Sequence, residues 1–163
     1  YMDGGMGDGG GCHPRDNIAM SYLSDKLEIS HNWFEHIMMQ RENQTDWLAD
    51  LIIDSASGLK INILGKSFKA ESNLTLGSPA LLLQNVLKER KIEINFWDPI
   101  VDKNFEEYAK KYKWNKEPQL FFVATKHEEF NKFPFHKGSV VVDPWRYITV
   151  SGDIKLIRIG DSK

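Results

Sequence analysis

The single cysteine, Cys12, closes a run of three glycines and is followed by His13, Pro14, Arg15 and Asp16. Three chemistries are open to it. A thiolate there attacks a carbonyl carbon, a thiol beside His13 ligates a metal, or a small side chain packs as a hydrophobe. The last is a common fate of free cysteine, but "GGGCHPRD" is not an apolar context. Glycines let backbone amides approach a ligand closely. His13, Arg15 and a helix start just downstream are neighbours that favour a thiolate. A Cys–His hydrolytic pair fits poorly, because adjacent side chains do not easily meet as nucleophile and base. The residues alone leave a reactive thiol and a packed thiol both open.

Other candidates are weaker. "GKS" at 65–67 suggests a phosphate loop, but that motif needs a glycine five residues before its Gly-Lys pair, and Lys60 stands there. Histidines 13, 31, 36, 127 and 136 show no metal-binding spacing, and no second cysteine supports Cys12. No metal site is expected, and most of the histidines are expected at the surface or in caps. Lys66 and Lys69 are suited to phosphate if the fold brings them to a ligand.

The elements that position these residues can be read from pattern. Residues 1–15 read as a loop. A helix follows from Asp16, carrying Ile18, Met20, Tyr22, Leu23 and Leu27. A second helix of about 25 residues, capped by Ser30 or Asn32, ends at Gly58. Its polar middle, "QRENQTD", interrupts the apolar stripe. Pairing with another copy or another domain therefore stands beside a simple core role. After Gly58 the pattern alternates. Short apolar runs at 60–64, 92–98, 119–125, 139–143 and 154–160 read as strands. Between them lie a helix opened by Ser78 as cap and Pro79 as first residue, a charged helix at 103–114, and a polar helical turn. Continuous apolar strands alternating with helices predict a parallel sheet buried on both faces. The fold class is thus α/β over 58–163, an open parallel sheet with helices on both faces, and the helices of 16–57 are expected outside it. Such sheets bind ligands beyond the carboxyl ends of their strands. That rule points to the loop Gly65–Gly77 and to Asp98, Thr125 and Asp143.

Composition sets the outer limits. The chain has 163 residues, enough for one compact domain with an appendage. A net charge of -2 gives no basic field for nucleic acid. One cysteine allows no internal disulfide. No apolar run approaches the roughly 20 residues that span a bilayer, and no leader resembles a signal peptide. The expectation is a soluble, cytoplasmic protein with no membrane partner. Six of the first eleven residues are glycine and the first is not methionine, so the chain is expected to be part of something longer.

Two segments carry a resemblance. "GMGDGGGCHPRD" (5–16) resembles the glycine-rich cysteine loop of the nucleotide-sugar dehydrogenases, the UDP-glucose/GDP-mannose dehydrogenase family. "ILGKSFKAESNLTLGSPALLL" (63–83) is similar to the strand-loop-helix that opens the C-terminal domain of that family, with its F-K and S-P pairs. The resemblance implies a Rossmann-like nucleotide-sugar (UDP)-binding domain over 58–163, preceded by a cysteine loop and central helical dimerisation segment over 1–57. It implies an NAD-dependent oxidation of the primary alcohol of the sugar to a carboxylate, of the UDP-glucose 6-dehydrogenase type, through a cysteine thiohemiacetal. NAD is expected to bind mainly through a domain absent from this chain. By the same resemblance, Cys12 is the nucleophile and Asp16 assists hydrolysis. Gly7, Gly9, Gly10 and Gly11 shape the loop against the sugar, Phe68 packs near the base, and Lys69 pairs with the diphosphate. A homodimer through the long helix is expected, and the piece alone is expected to be inactive. Some matches fail: the family arginine corresponds to Leu76, the family's T-D-D reads "NLT" at 73–75, and His13 stands where many members carry an apolar or aromatic residue. Leu76 favours the alternative of a non-catalytic nucleotide-sugar-binding or dimerisation module.

Overall fold

In the computed structural model, residues 4–7 and 9–160 are described. The first helix, α1, spans Cys12–Lys26. It starts four residues earlier than the pattern predicts, so Cys12 belongs to the first turn of a helix and not to a loop. Pro14 does not prevent this. In the first turn its missing N–H has no helical acceptor to satisfy, and its fixed φ suits the helix. The long helix α2 spans Trp33–Ala56. Asn32 caps it by accepting the Glu35 N–H at 3.1 Å. The same side chain donates to the Ser21 hydroxyl at 2.9 Å and the Asp25 carboxylate at 2.9 Å, clamping α1 against α2. Ser57 and Gly58 end α2 in the left-handed region, with φ of 47° and 88°.

Five parallel strands follow: β1 (Ile61–Leu64), β2 (Ile94–Trp97), β3 (Leu120–Val123), β4 (Val140–Asp143) and β5 (Lys155–Arg158). They lie in the order β2-β1-β3-β4-β5, in register as Ile61 beside Ile94 and Leu120. Helix α3 (Pro79–Glu89) joins β1 to β2 and α4 (Phe105–Tyr112) joins β2 to β3. A 3₁₀ turn, Glu128–Lys132, lies between β3 and β4. Every predicted strand is present, each shorter than its apolar run.

Alternate residues of each strand face opposite sides. Ile61, Ile63, Leu120, Phe122, Val140 and Val142 enter one core with Leu83 and Leu87 of α3. Leu64, Trp97, Phe121, Val123 and Val141 enter the other with Trp114, Phe130 and Phe133. The first core also contains Leu48, Ala49, Ile52 and Ala56 of α2. This corrects the expectation that residues 16–57 stand outside the sheet: the second half of α2 covers one face of it. The period of the apolar residues could not show this, because a stripe packed on a sheet and a stripe packed on another copy look alike in one sequence.

Candidate functional site

The strand order reverses between β1 and β3. The chain leaves β1 for β2 and β3 for β4, on opposite sides, and the carboxyl edge at such a reversal is the crevice position where ligands of open α/β sheets bind. Gly65 and Thr125 leave the two strands side by side, so close that a Cβ on Gly65 would lie 2.5 Å from that of Thr125. The Thr125 hydroxyl donates to the Ser67 carbonyl at 2.7 Å.

Asp98, at the end of β2, is fully buried and organises the start of the same loop. Its Oδ2 accepts the N–H of Lys66 at 2.6 Å and of Ser67 at 3.1 Å. Its Oδ1 accepts those of Ile100 and Val101. Burial alone would push this carboxyl up. The hydrogen bonds from His127 and from these backbone amides outweigh it and hold the group well below its ordinary value.

His127 is also fully buried, at the N-cap position of the 3₁₀ turn. His13, His31 and His36 are exposed. The Nε2 of His127 lies 3.1 Å from Asp98 Oδ2 and 3.0 Å from the Ser67 hydroxyl. Its Nδ1 accepts the Glu71 N–H at 3.2 Å. Tyr147 donates its hydroxyl to the His127 carbonyl at 3.0 Å. Burial, then the charges of Asp143, Glu129 and Glu71, raise this phenol well above its ordinary value, so it stays a donor. The sequence signal for the cluster was its position: Asp98 and Thr125 are the last residues of predicted strands, and His127 is two residues beyond Thr125.

Among the described residues, Glu71, His127 and Glu129 bring three ligand-type atoms within 4.8 Å. The Nδ1 lone pair is already taken by the Glu71 amide, and both carboxylates are exposed.

The two lysines separate. Lys66 is bound to Asp102 at 2.7 Å and lies over the Phe96 ring. Lys69 is exposed and has its ammonium 5.7 Å from the centre of the Phe68 ring.

The glycine-rich segment crosses this edge. Gly5 lies under the Trp145 ring beyond β4, where a Cβ would come within 2.5 Å of the indole. Met6 is buried in the first core. Gly9 meets Pro79 and Phe68, Gly10 lies on the Phe68 ring, and Gly11 touches Leu76. Gly7 instead faces Gln44 of α2. The Gly10 N–H donates to the Gly77 carbonyl at 3.1 Å. A side chain at Gly77, whose φ is 70°, would run into the Gly10 carbonyl. The two motifs, some 50 residues apart in sequence, are thus one surface. Cys12 is exposed at the first turn of α1, where unpaired backbone N–H groups favour negative charge. Asp16 lies one turn further on the same face and pairs with Arg15 at 2.8 Å. The Arg15 guanidinium is raised, first by its hydrogen bond to Asp16, then by that carboxylate's charge, and then by Cys12.

Residues 62–150 match the model of the UDP-glucose/GDP-mannose dehydrogenase family, UDP binding domain. The chain belongs to this family. Two similar relatives are the GDP-mannose 6-dehydrogenase of Pseudomonas aeruginosa, 30% identical over 99% of this chain and 33% of its own length, and the UDP-glucose 6-dehydrogenase of Rickettsia conorii, 24% identical over 88% and 38%. The chain therefore spans little more than a third of the curated relatives it matches. The fold is shared with a ternary complex of GDP-mannose dehydrogenase from P. aeruginosa, at TM-score 0.71 and 22% identity over 96% of this chain and 41% of that one. It is also shared with a UDP-glucose dehydrogenase of the archaeon Pyrobaculum islandicum, at TM-score 0.74 and 20% identity over 96% and 38%. The α/β class and the chain's resemblance to this family are thereby established. Among the described residues no helix is long and apolar enough to cross a membrane.

Proposed function

We propose that this chain is the cysteine loop and nucleotide-sugar-binding part of a dehydrogenase that oxidises the primary alcohol of a nucleotide sugar to a carboxylate. The supporting observation is the contact between the two motifs. Gly9 and Gly10 lie on Phe68, and Gly10 is hydrogen-bonded to Gly77, so the exposed Cys12 stands beside the crevice loop.

The chemistry explains the residue types. Taking an alcohol to a carboxylate removes four electrons in two steps. The turn after β1, "GKSFKAESNLTLGSP", contains no dinucleotide fingerprint, so NAD is assigned to another part of the full-length protein and, when bound there, would supply the hydride acceptor for both steps. The aldehyde formed first has no readily transferred hydride. The Cys12 thiolate adds to its carbon and makes it tetrahedral, and loss of hydride then gives a thioester. Water cleaves the C–S bond with Asp16 on the same helix face to take a proton, which restores the thiol. Lys69 binds the diphosphate by charge, Phe68 packs near the base, and Gly7, Gly9, Gly10 and Gly11 let the loop approach the sugar. Residues 1–57 form the cysteine loop and dimerising helices, and 58–163 the nucleotide-binding domain. A homodimer in the cytoplasm is the proposed state, and this piece alone is inactive.

A specific observation supports a second reading. Leu76 stands where the resemblance expects an arginine, and it is 79% exposed. This fits a binding or dimerising module without catalysis.

One measurement decides between them. The full-length protein is mixed with NAD and either UDP-glucose or GDP-mannose, and NADH is counted per carboxylate formed. Two NADH per carboxylate are expected, with Cys12→Ser lowering the rate by at least about a thousandfold. Tight UDP binding with no NADH from either substrate selects the second reading.

A further inference from the structure

We infer that His127 is a positioning residue for nucleotide recognition: one buried imidazole grips the Phe68–Lys69 segment from both sides and sets where the lysine points. The inference rests on the proposed role of Lys69.

The geometry determines the tautomer. A backbone N–H only donates, so the Nδ1 that meets the Glu71 amide at 3.2 Å is an acceptor and carries no proton. The ring proton is then on Nε2, shared between Asp98 Oδ2 at 3.1 Å and the Ser67 hydroxyl at 3.0 Å. Having accepted from the ring, Ser67 donates its own proton to the Lys69 carbonyl at 3.0 Å. The imidazole therefore reaches Lys69 through one hydroxyl on the near side. On the far side it holds the amide of Glu71, a residue at φ 53°. That left-handed conformation is unfavourable for glutamate and persists only when its surroundings fix it. The Phe68 N–H bonded to the Leu74 carbonyl at 3.0 Å closes the loop.

The arrangement resembles a catalytic triad in composition but not in function. Ser67, His127 and Asp98 are all buried. The serine and the carboxylate compete for the same ring nitrogen, whereas a triad base needs its two nitrogens on opposite partners. The cluster is a buried, satisfied polar network, which rigidifies what it holds.

The test uses the full-length protein and UDP, with GDP in parallel, by calorimetry. His127→Asn keeps an acceptor where Nδ1 was and loses the Nε2 donor, whereas His127→Gln keeps the donor and loses the acceptor. Each is expected to raise Kd about tenfold, equivalent to about 1.4 kcal/mol. Ser67→Ala, which leaves the imidazole in place, is expected to do the same. In a Lys69→Ala background the same substitutions should change Kd by less than about twofold, because the effect passes through Lys69. In turnover KM should rise with Kd while kcat stays within about threefold, since His127 is fully buried and acts through Lys69. Folded His127 variants that bind UDP as the parent does overturn the inference. If those variants do not fold, unchanged affinity in Ser67→Ala overturns it instead. Equal losses with and without Lys69 would show a merely structural role and also overturn it. Failure of the unaltered protein to bind UDP or GDP removes the proposed nucleotide-binding role itself, a distinct result.

Discussion

Asp98 concentrates more hydrogen bonds than any other carboxylate described near the crevice. Four backbone amides and the His127 ring converge on its two oxygens. A neutral amide at this position presents one acceptor oxygen and turns an NH₂ toward donors. Asp98→Asn should therefore cost about 3 kcal/mol, read as a lower urea midpoint by tryptophan fluorescence. The same bonds set a pH dependence. The native carboxyl titrates below its ordinary value of 3.8, so the unfolded chain binds the proton first as pH falls. The stability from Asp98 is thus complete above the ordinary carboxylate range and lost as pH falls below about 4 toward the native value. Urea midpoints between pH 5 and 2 should decline more steeply in the parent than in Asp98→Asn. Parallel lines would exclude Asp98 as the source.

At the scale of elements, the decisive contact is between two loops. Gly77 opens the turn into α3 and Gly10 the turn into α1, and their backbones touch. Gly77→Ala combines an unfavourable φ with a collision. Gly58→Ala has a similar φ of 88° but nothing within 4 Å of the added methyl. The Gly58 variant should lose about 1 kcal/mol and the Gly77 variant clearly more, about 3 kcal/mol, in urea unfolding. Equal losses would mean the loops are not pressed together. The elements themselves were largely legible in the sequence. Ser78-Pro79 marks the start of α3 because a cap oxygen and a fixed φ act locally, and the strands show as apolar runs because both faces of the sheet are covered. Local signals do not report distant partners. The first turn of α1 was missed because Pro14 and the glycines read as loop. The depth of His127 was missed because its partners, Ser67 and Asp98, come from two other loops. The contact of Gly7 with Gln44 in place of the crevice loop depends on where α2 lies across the sheet, which no short-range pattern encodes.

The whole molecule presents an uneven surface. Leu48, Ala49, Ile52 and Ala56 of α2 are buried against the sheet, while Ile18 and Tyr22 of α1, Leu27 just after it, and Trp33 and Trp47 of α2 are exposed, Trp33 at 63%. At 100° per residue, Trp33, Ile37, Gln40, Gln44 and Trp47 fall on one stripe of α2. Part of that stripe lines an apolar groove of about 430 Å³ with His36 and Arg41. Isolated exposed apolar residues are ordinary, but a stripe holding two tryptophans is the composition of an interface centre. A second copy running antiparallel would place each Trp33 near the other's Trp47, which satisfies the self-complementarity a two-fold dimer requires. Sedimentation equilibrium of the full-length protein should show a dimer. Trp33→Ala and Trp47→Ala should each weaken it by about 2 kcal/mol, roughly thirtyfold in dissociation constant. Because neither residue belongs to the sheet core, the urea midpoint measured below the dimer dissociation constant should not move. A dimer unaffected by either substitution would place the interface elsewhere, and a lowered midpoint in the monomer would show that the stripe serves the fold of one chain rather than the pairing of two.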